Sequence, residues 1–468
     1  MPMPERVASK FALRSCAILL LIGSLRAQQN AVATPLTLAQ AVEYSLKNYP
    51  SIRASEEQTR RAAAAIQLAR TAYLPRVDAL AQINRATRNN VFGVLLPQNV
   101  IPPMSGPVIG SNNLGTVWGS AVGGLVTWEP FDFGLRSANV GVAAAAKAQS
   151  EAVEKRTQFD VAAAAADAYL TVVAVEETVR AAQAGVDRAE VAVRIITAQV
   201  RAELRPGADQ SRAEAELAAA KTQQIQAQEA VGIARANLAQ FVGSDPSEIA
   251  VTIGDLTRLP PEQAPQPLST ASNPTVIEQN AVIEQERAAL RVLERSYFPR
   301  FSLQAAAYAR GSGAELNGDR LGSLNGLAPN FQDFAVGFTV TFPILDRPSL
   351  RAREAEQSAA IRAESARKHQ ILVDLRAQWN RAVATLDGAR RVASNAPVQV
   401  SAAQTAVRQA TARYQSGLGN IDELAEAQRL LTQAEIDDVL ATLGVWRGLL
   451  AIATAAGDIQ PFIVEASR

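Results

Sequence analysis

The most constraining feature of this 468-residue chain is a heptad seam that occurs twice. Leu375, Trp379, Ala382, Leu386, Ala389, Ala393, Ala396, Val400, Ala403, Val407, Ala410 and Tyr414 follow one another at alternating steps of four and three. Apolar residues returning every 3.5 positions mark one helix face packed as in a coiled coil. Positions 214 residues earlier, from Val161 to Val200, are all apolar in the same register. One long coiled-coil helix therefore occurs twice, and the spacing predicts a structural unit present in two copies.

Between and around these helices the period changes to two. After Pro75, Val77, Ala79, Ala81 and Ile83 alternate with Asp78, Leu80, Gln82 and Asn84. From Thr116, Trp118, Ser120, Val122, Gly124, Val126 and Trp128 share one face of a second strand. Phe301, Leu303, Ala305 and Ala307 give a third strand, and Phe334, Val336, Phe338, Val340 and Phe342 a fourth. The segments between paired strands, 87–115 and 311–330, are rich in Gly or Pro and read as loops. Trp118 and Trp128 lie in phase, ten residues apart. At about 3.3 Å per residue and a tilt near 45°, they stand roughly 23 Å apart along a membrane normal, close to the apolar band of an outer-membrane barrel. Phe334 and Phe342 join them as candidate membrane-interface aromatics. Taken alone, the tryptophan spacing fits a soluble two-sheet core equally well.

The expected organisation is a signal peptide over 1–27, with cleavage as late as 33, and a first helix-strand-strand-long helix-helix repeat over 36–256. A Pro-rich linker (257–273), a second repeat (274–460) and a C-terminal tail (461–468) follow. Arg6, Lys10 and Arg14 precede a short apolar run from Cys16, too short to span a bilayer as a helix. Cys16 precedes that run, so no lipid anchor is expected. No later stretch holds 18 consecutive apolar residues, so no transmembrane helix is expected. The long helices are expected over about 137–200 and 349–415, with Pro397 kinking the second. In the first turn Glu203 stands where the second repeat has Gly417, and Pro206-Gly207 is the expected substitute.

Composition narrows the chemistry. Net charge is +1, so general nucleic-acid binding is not expected. One cysteine and one histidine exclude an internal disulfide and a Cys/His metal site. His369 lies mid-helix and reads as a solvent-facing or packing residue. No phosphate loop or nucleophile-base pair is present, so neither enzymatic activity nor a cofactor is expected. Four strands with an apolar outer face cannot close a barrel, and an open edge cannot sit in lipid. Three copies would supply twelve strands.

The repeat order, the YLPR/YFPR starts of strands one and three, the PFDFG and FPILD exits into long helices and the RYQSGLGNIDELAEAQ turn together resemble TolC-type outer membrane efflux proteins. The resemblance covers nearly the whole chain after the signal peptide. It implies a mainly α fold with a membrane β-barrel, four transmembrane strands per chain, and a homotrimer with a 12-stranded barrel and an α-helical periplasmic tunnel. It implies an outer-membrane exit duct, passive in itself. The partners would be a periplasmic adaptor protein and an inner-membrane pump of RND or ABC type, in efflux or type I secretion. It also implies a periplasmic gate of acidic residues: Glu423 and Glu426, with Asp422 alongside and Asp209 from the first repeat, where Arg212 departs from a purely acidic ring. Acids in a helix's first turn also complement its dipole, which is the ordinary alternative. An exported coiled-coil structural or adhesion protein, without channel activity, is the competing reading of the whole chain.

Overall fold

The computed structural model describes residues 35–87, 115–262, 267–315 and 320–467. The expected signal peptide and most of the first strand-connecting loop lie outside the described residues. The chain forms two units. One comprises Met1–Pro50, Gln158–Leu268 and Ala377–Arg468; the other comprises Ser51–Thr157 and Ser269–Arg376.

The first helix, α1 (Leu38–Asn48), starts at a capping box in which the Thr37 hydroxyl accepts from Gln40 N and the Gln40 side chain accepts from Thr37 N. Tyr49-Pro50 separates it from α2 (Pro50–Thr71). Strands β1 (Arg76–Thr87) and β2 (Thr116–Phe131) follow. The long α3 (Leu135–Arg201) and the return helix α4 (Gly207–Val242) complete the first series. Two 3₁₀ turns (Pro246–Glu248 and Gly254–Thr257) precede α5 (Pro274–Arg295), which is capped by Asn273. Then come β3 (Arg300–Ser312), β4 (Phe331–Thr341), the long α6 (Arg347–Gln415), α7 (Ile421–Ala456) and α8 (Gln460–Ala466). Gly243 and Gly457 end α4 and α7 in the left-handed conformation, at φ 80° and 81°.

The four strands form one antiparallel sheet in the order β1-β2-β3-β4. Its register pairs Val77 with Val126, Val126 with Ala305 and Ala305 with Val336, so the apolar positions of all four strands share a face. That face is the exposed one: Phe334 is 83% exposed and Val77 70%. The opposite face carries mostly small and polar residues around a small cluster that includes Leu125, Ala306 and Tyr308; these three and Gln304 are almost fully covered. A water-soluble sheet buries its large apolar side chains; this one presents them outward.

In the unit without strands, the seam residues of α3 and α6 are its packed positions. Ala165, Val172, Ile196, Leu386, Ala393, Ala403 and Tyr414 are each at most 3% exposed. The main core gathers α1, α3, α4, α7 and α8 around Tyr169, Leu170, Leu238 and Trp446. Tyr169 donates to the carbonyls of Leu36 and Thr252, tying an isolated parallel bridge between Leu36 and Val251 to the core.

Several expectations need correction. The C-terminal tail is instead α8, whose Phe462 meets Trp446 edge-on at 6.4 Å, a tertiary contact that a seven-residue segment does not announce by period. Helix α6 carries Pro397 within its span, with no break in the helix there, so the expected kink is not a break. In the first turn Glu203 itself takes the left-handed conformation (φ 57°), matching Gly417 at φ 77°, while Gly207 is already the first residue of α4. By length and composition, α3 and α7 each hold a stretch apolar enough to cross a bilayer, a property that the search for unbroken apolar runs passed over.

Candidate functional site

Two sets of residues stand out, one in each unit. The first is the paired turn where α3 passes to α4 and α6 passes to α7. Asn420 caps α7, its side chain accepting from Glu423 N at 2.9 Å, so Asp422 and Glu423 fall in the first turn of that helix. Asp209 occupies the corresponding turn of α4. Tyr414, the last seam residue of α6, donates its hydroxyl to Asp209 Oδ2 at 2.9 Å. The Arg205 guanidinium lies over the Tyr414 ring, 4.3 Å from its centroid, and donates to the Tyr414 carbonyl. Burial pushes the Tyr414 phenol up to about 12; the Asp209 carboxylate adds to this and Arg205 opposes it. Beneath these contacts Ile196, Ala213, Tyr414, Ile421 and Leu424 form a small core.

Each acid of the expected gate has a basic or hydroxyl partner. Arg212 reaches Asp422 at 3.4 Å, and Arg413 reaches Glu423 at 3.4 Å. Arg429 bonds Glu426 at 2.7 Å and lies 3.7 Å from Glu216. Within one chain the turn is therefore a mixed-charge lattice rather than a run of bare carboxylates. Most of these side chains are well exposed, so each ion pair is weak singly. The structure brings Asp209 and Asp422 into links between the two hairpins, through Tyr414 and Arg212. Glu423 and Glu426 pair within their own hairpin. The sequence reading missed Arg205 and treated Tyr414 as a seam residue only; the one signal was a tyrosine ending a seam built mostly of alanine and valine.

The second set surrounds the sheet. Trp128 donates its indole N–H to the Tyr73 carbonyl at 3.1 Å, beside the turn that leads into α3. There Phe131, Phe133, Phe298 and Phe301 form a chain of rings with centroids 4.6 to 6.1 Å apart, aromatics that the tryptophan spacing alone did not reveal. The turn is fixed by Asp132, which accepts from Gly134 N and from both Arg136 N and Arg136 Nε. Phe133 and Gly134 take positive φ of 51° and 92° there, which is why the PFDFG turn needs a glycine. Trp118 lies near the other end of β2, beneath the Arg85 guanidinium. Phe334 and Phe342 stay exposed on the apolar face and just past its end.

Known proteins are similar to this chain over nearly its whole length. The family model described as outer membrane efflux protein matches residues 41–244 and 267–458. Protein CyaE of Bordetella pertussis (strain Tohama I) is 25% identical over 429 residues, covering 91% of this chain and 84% of that protein. The fold matches a membrane protein from Pseudomonas aeruginosa at a TM-score of 0.73 and 20% identity, over 90% of this chain and 92% of that one. It also matches the CmeC outer membrane channel of Campylobacter jejuni at a TM-score of 0.70 and 15% identity, over 92% and 89%. The chain belongs to the outer membrane efflux protein family. It is an outer-membrane efflux or secretion channel with a large periplasmic helical part, of a family of channels rather than enzymes.

Proposed function

We propose that three copies of this chain form a passive exit duct, with a 12-stranded barrel in the outer membrane and an α-helical tunnel in the periplasm. The observation that carries this is the inverted sheet. Its large apolar face is exposed, and among the described residues β1 and β4 each have one strand partner, leaving two open edges. Unpaired backbone groups cannot face lipid, so an edge of this kind must be closed by another strand. Symmetry-related copies joining β4 to β1 satisfy both edges at once. Trp118, Trp128, Phe334 and Phe342 would then lie on the barrel's membrane face, with the ring chain at Phe131 marking its periplasmic margin.

Each copy contributes a series of helix, strand, strand, long helix and helix twice, and the two series supply equivalent staves of the tunnel. The turns at Asp209 and at Asp422, Glu423 and Glu426 form the closable periplasmic mouth. The link from Arg205 and Asp209 to Tyr414 holds the two hairpins together there. Energy for export comes from an inner-membrane pump of RND or ABC type, reached through a periplasmic adaptor protein. Fractionation with crosslinking tests the reading: recovery from the outer membrane as a trimer supports it, and a soluble monomer overturns it.

A further inference from the structure

The exposed face of the sheet is almost free of charge. Through β1 it carries Val77, Ala79, Ala81 and Ile83; through β2, Val122, Gly124, Val126 and Trp128. In β3 and β4 it carries Phe301, Leu303, Ala305 and Ala307 against Val340, Phe338, Val336 and Phe334. Among the described strand residues, Arg85 is the single charged side chain in this phase. It stands directly opposite Trp118, which also belongs to this face. A charge on the lipid side of a barrel strand is tolerated near the headgroups and disfavoured at mid-depth. Trp118 is ten residues from Trp128, roughly 23 Å higher at a 45° tilt, which puts Arg85 at the far margin of the apolar band. That margin is the end away from the helices, hence the outer leaflet.

The side chain is held ready for a ligand. Arg85 Nε donates to Thr116 Oγ1 at 2.9 Å, and Cζ sits 5.1 Å from the centre of the Trp118 ring. These two contacts fix the guanidinium plane and engage one of its edges. Among the described residues no carboxylate pairs with it. On the other flank of Trp118 the chain returning to β4 crosses close to β3. A Cβ at Gly311 would meet the Ala328 carbonyl at 2.4 Å, and one at Gly326 would meet the Trp118 carbonyl at 2.2 Å. Trp118 thus lies between a backbone shoulder and an oriented cation that no carboxylate among the described residues neutralises.

We propose that Arg85, seated on Trp118, binds the phosphate of an outer-leaflet lipid headgroup. The guanidinium fork matches phosphate oxygens in two parallel hydrogen bonds, whereas an ammonium offers only a point charge. Tryptophan at the interface keeps its ring at headgroup depth, so the cation meets the lipid where the phosphates are. The proposal rests on the reading that this face meets lipid.

The full-length protein in mild detergent is mixed with bisphosphorylated lipid A or with lipid A stripped of its phosphates, and bound lipid is counted by native mass spectrometry. The wild type should retain the phosphorylated lipid several-fold better than Arg85→Gln, with Arg85→Lys in between. Arg362→Gln, on α6, should behave as wild type, and the stripped lipid should be held equally poorly by all. Equal retention by wild type and Arg85→Gln overturns the proposal, as does displacement of the lipid by millimolar inorganic phosphate. Brominated-lipid quenching, compared between wild type and Trp118→Phe, separates the two readings. Quenching of Trp118 with equal lipid retention removes the headgroup site alone. Absence of quenching removes the membrane face as well.

Discussion

Glu203 shows how a single position can oppose its own backbone. It holds φ 57° where the matching turn uses Gly417, and a Cβ in the left-handed region crowds the following carbonyl. Glu203→Gly should therefore stabilise the turn by about 1 kcal/mol, part of the relief being offset by glycine's freer unfolded chain. Thermal unfolding followed by circular dichroism would read this as a melting point raised by a few degrees. Tyr414 works in the opposite sense, since its hydroxyl holds an acid of the neighbouring hairpin. Tyr414→Phe should cost about 2 kcal/mol, the range of a hydrogen bond to a charged group, and raise open probability in planar-bilayer recordings. The phenol's pKa in the fold, about 12, lies above its ordinary value of 10.0. The stabilisation from that contact is then complete below pH 10 and is lost as pH rises from 10 through 12. Wild-type conductance should accordingly be insensitive to pH between about 7 and 9 and rise above about pH 10, a rise that Tyr414→Phe abolishes.

At the scale of elements, the two hairpins are fastened above their turns as well as at them. Arg188 of α3 donates to both carboxylate oxygens of Glu435 on α7, at 3.1 and 2.8 Å, and to Thr432 Oγ1 at 2.8 Å. Gly185 makes room for that approach, since a Cβ there would lie 2.8 Å from Thr432 Oγ1. Both charged side chains are about three-quarters covered, so the bidentate pair is worth more than a surface bridge. A double-mutant cycle on Arg188→Ala and Glu435→Ala should show a coupling of about 1–2 kcal/mol in chemical unfolding, and additivity would remove the fastening role. The elements themselves were legible in the sequence. Heptad and two-residue periods are local properties, and they located both long helices and all four strands to within a few residues. Helix α8 and the Leu36–Val251 bridge were not legible, because each exists only through contacts with distant parts of the main core.

At the scale of the whole molecule, the sheet presents a large apolar face, and the proposed mouth lies at the helix turns. Three acids of the turn, Asp422, Glu423 and Glu426, pair with Arg212, Arg413 and Arg429, and Asp209 with the Tyr414 hydroxyl. Glu423→Ala combined with Glu426→Ala should raise conductance or weaken cation preference in bilayer recordings, because it removes carboxylates from the mouth. Unchanged currents would take these two residues out of the gate. By itself the sequence determined the duplicated seam, the alternating strands and the family, because periodicity and repeat spacing are written along the chain. Only the tertiary structure decided that Arg212 meets Asp422 and that Arg205 and Asp209 both meet Tyr414. Those outcomes depend on long side chains choosing among partners some 200 residues away, and no local pattern encodes that choice.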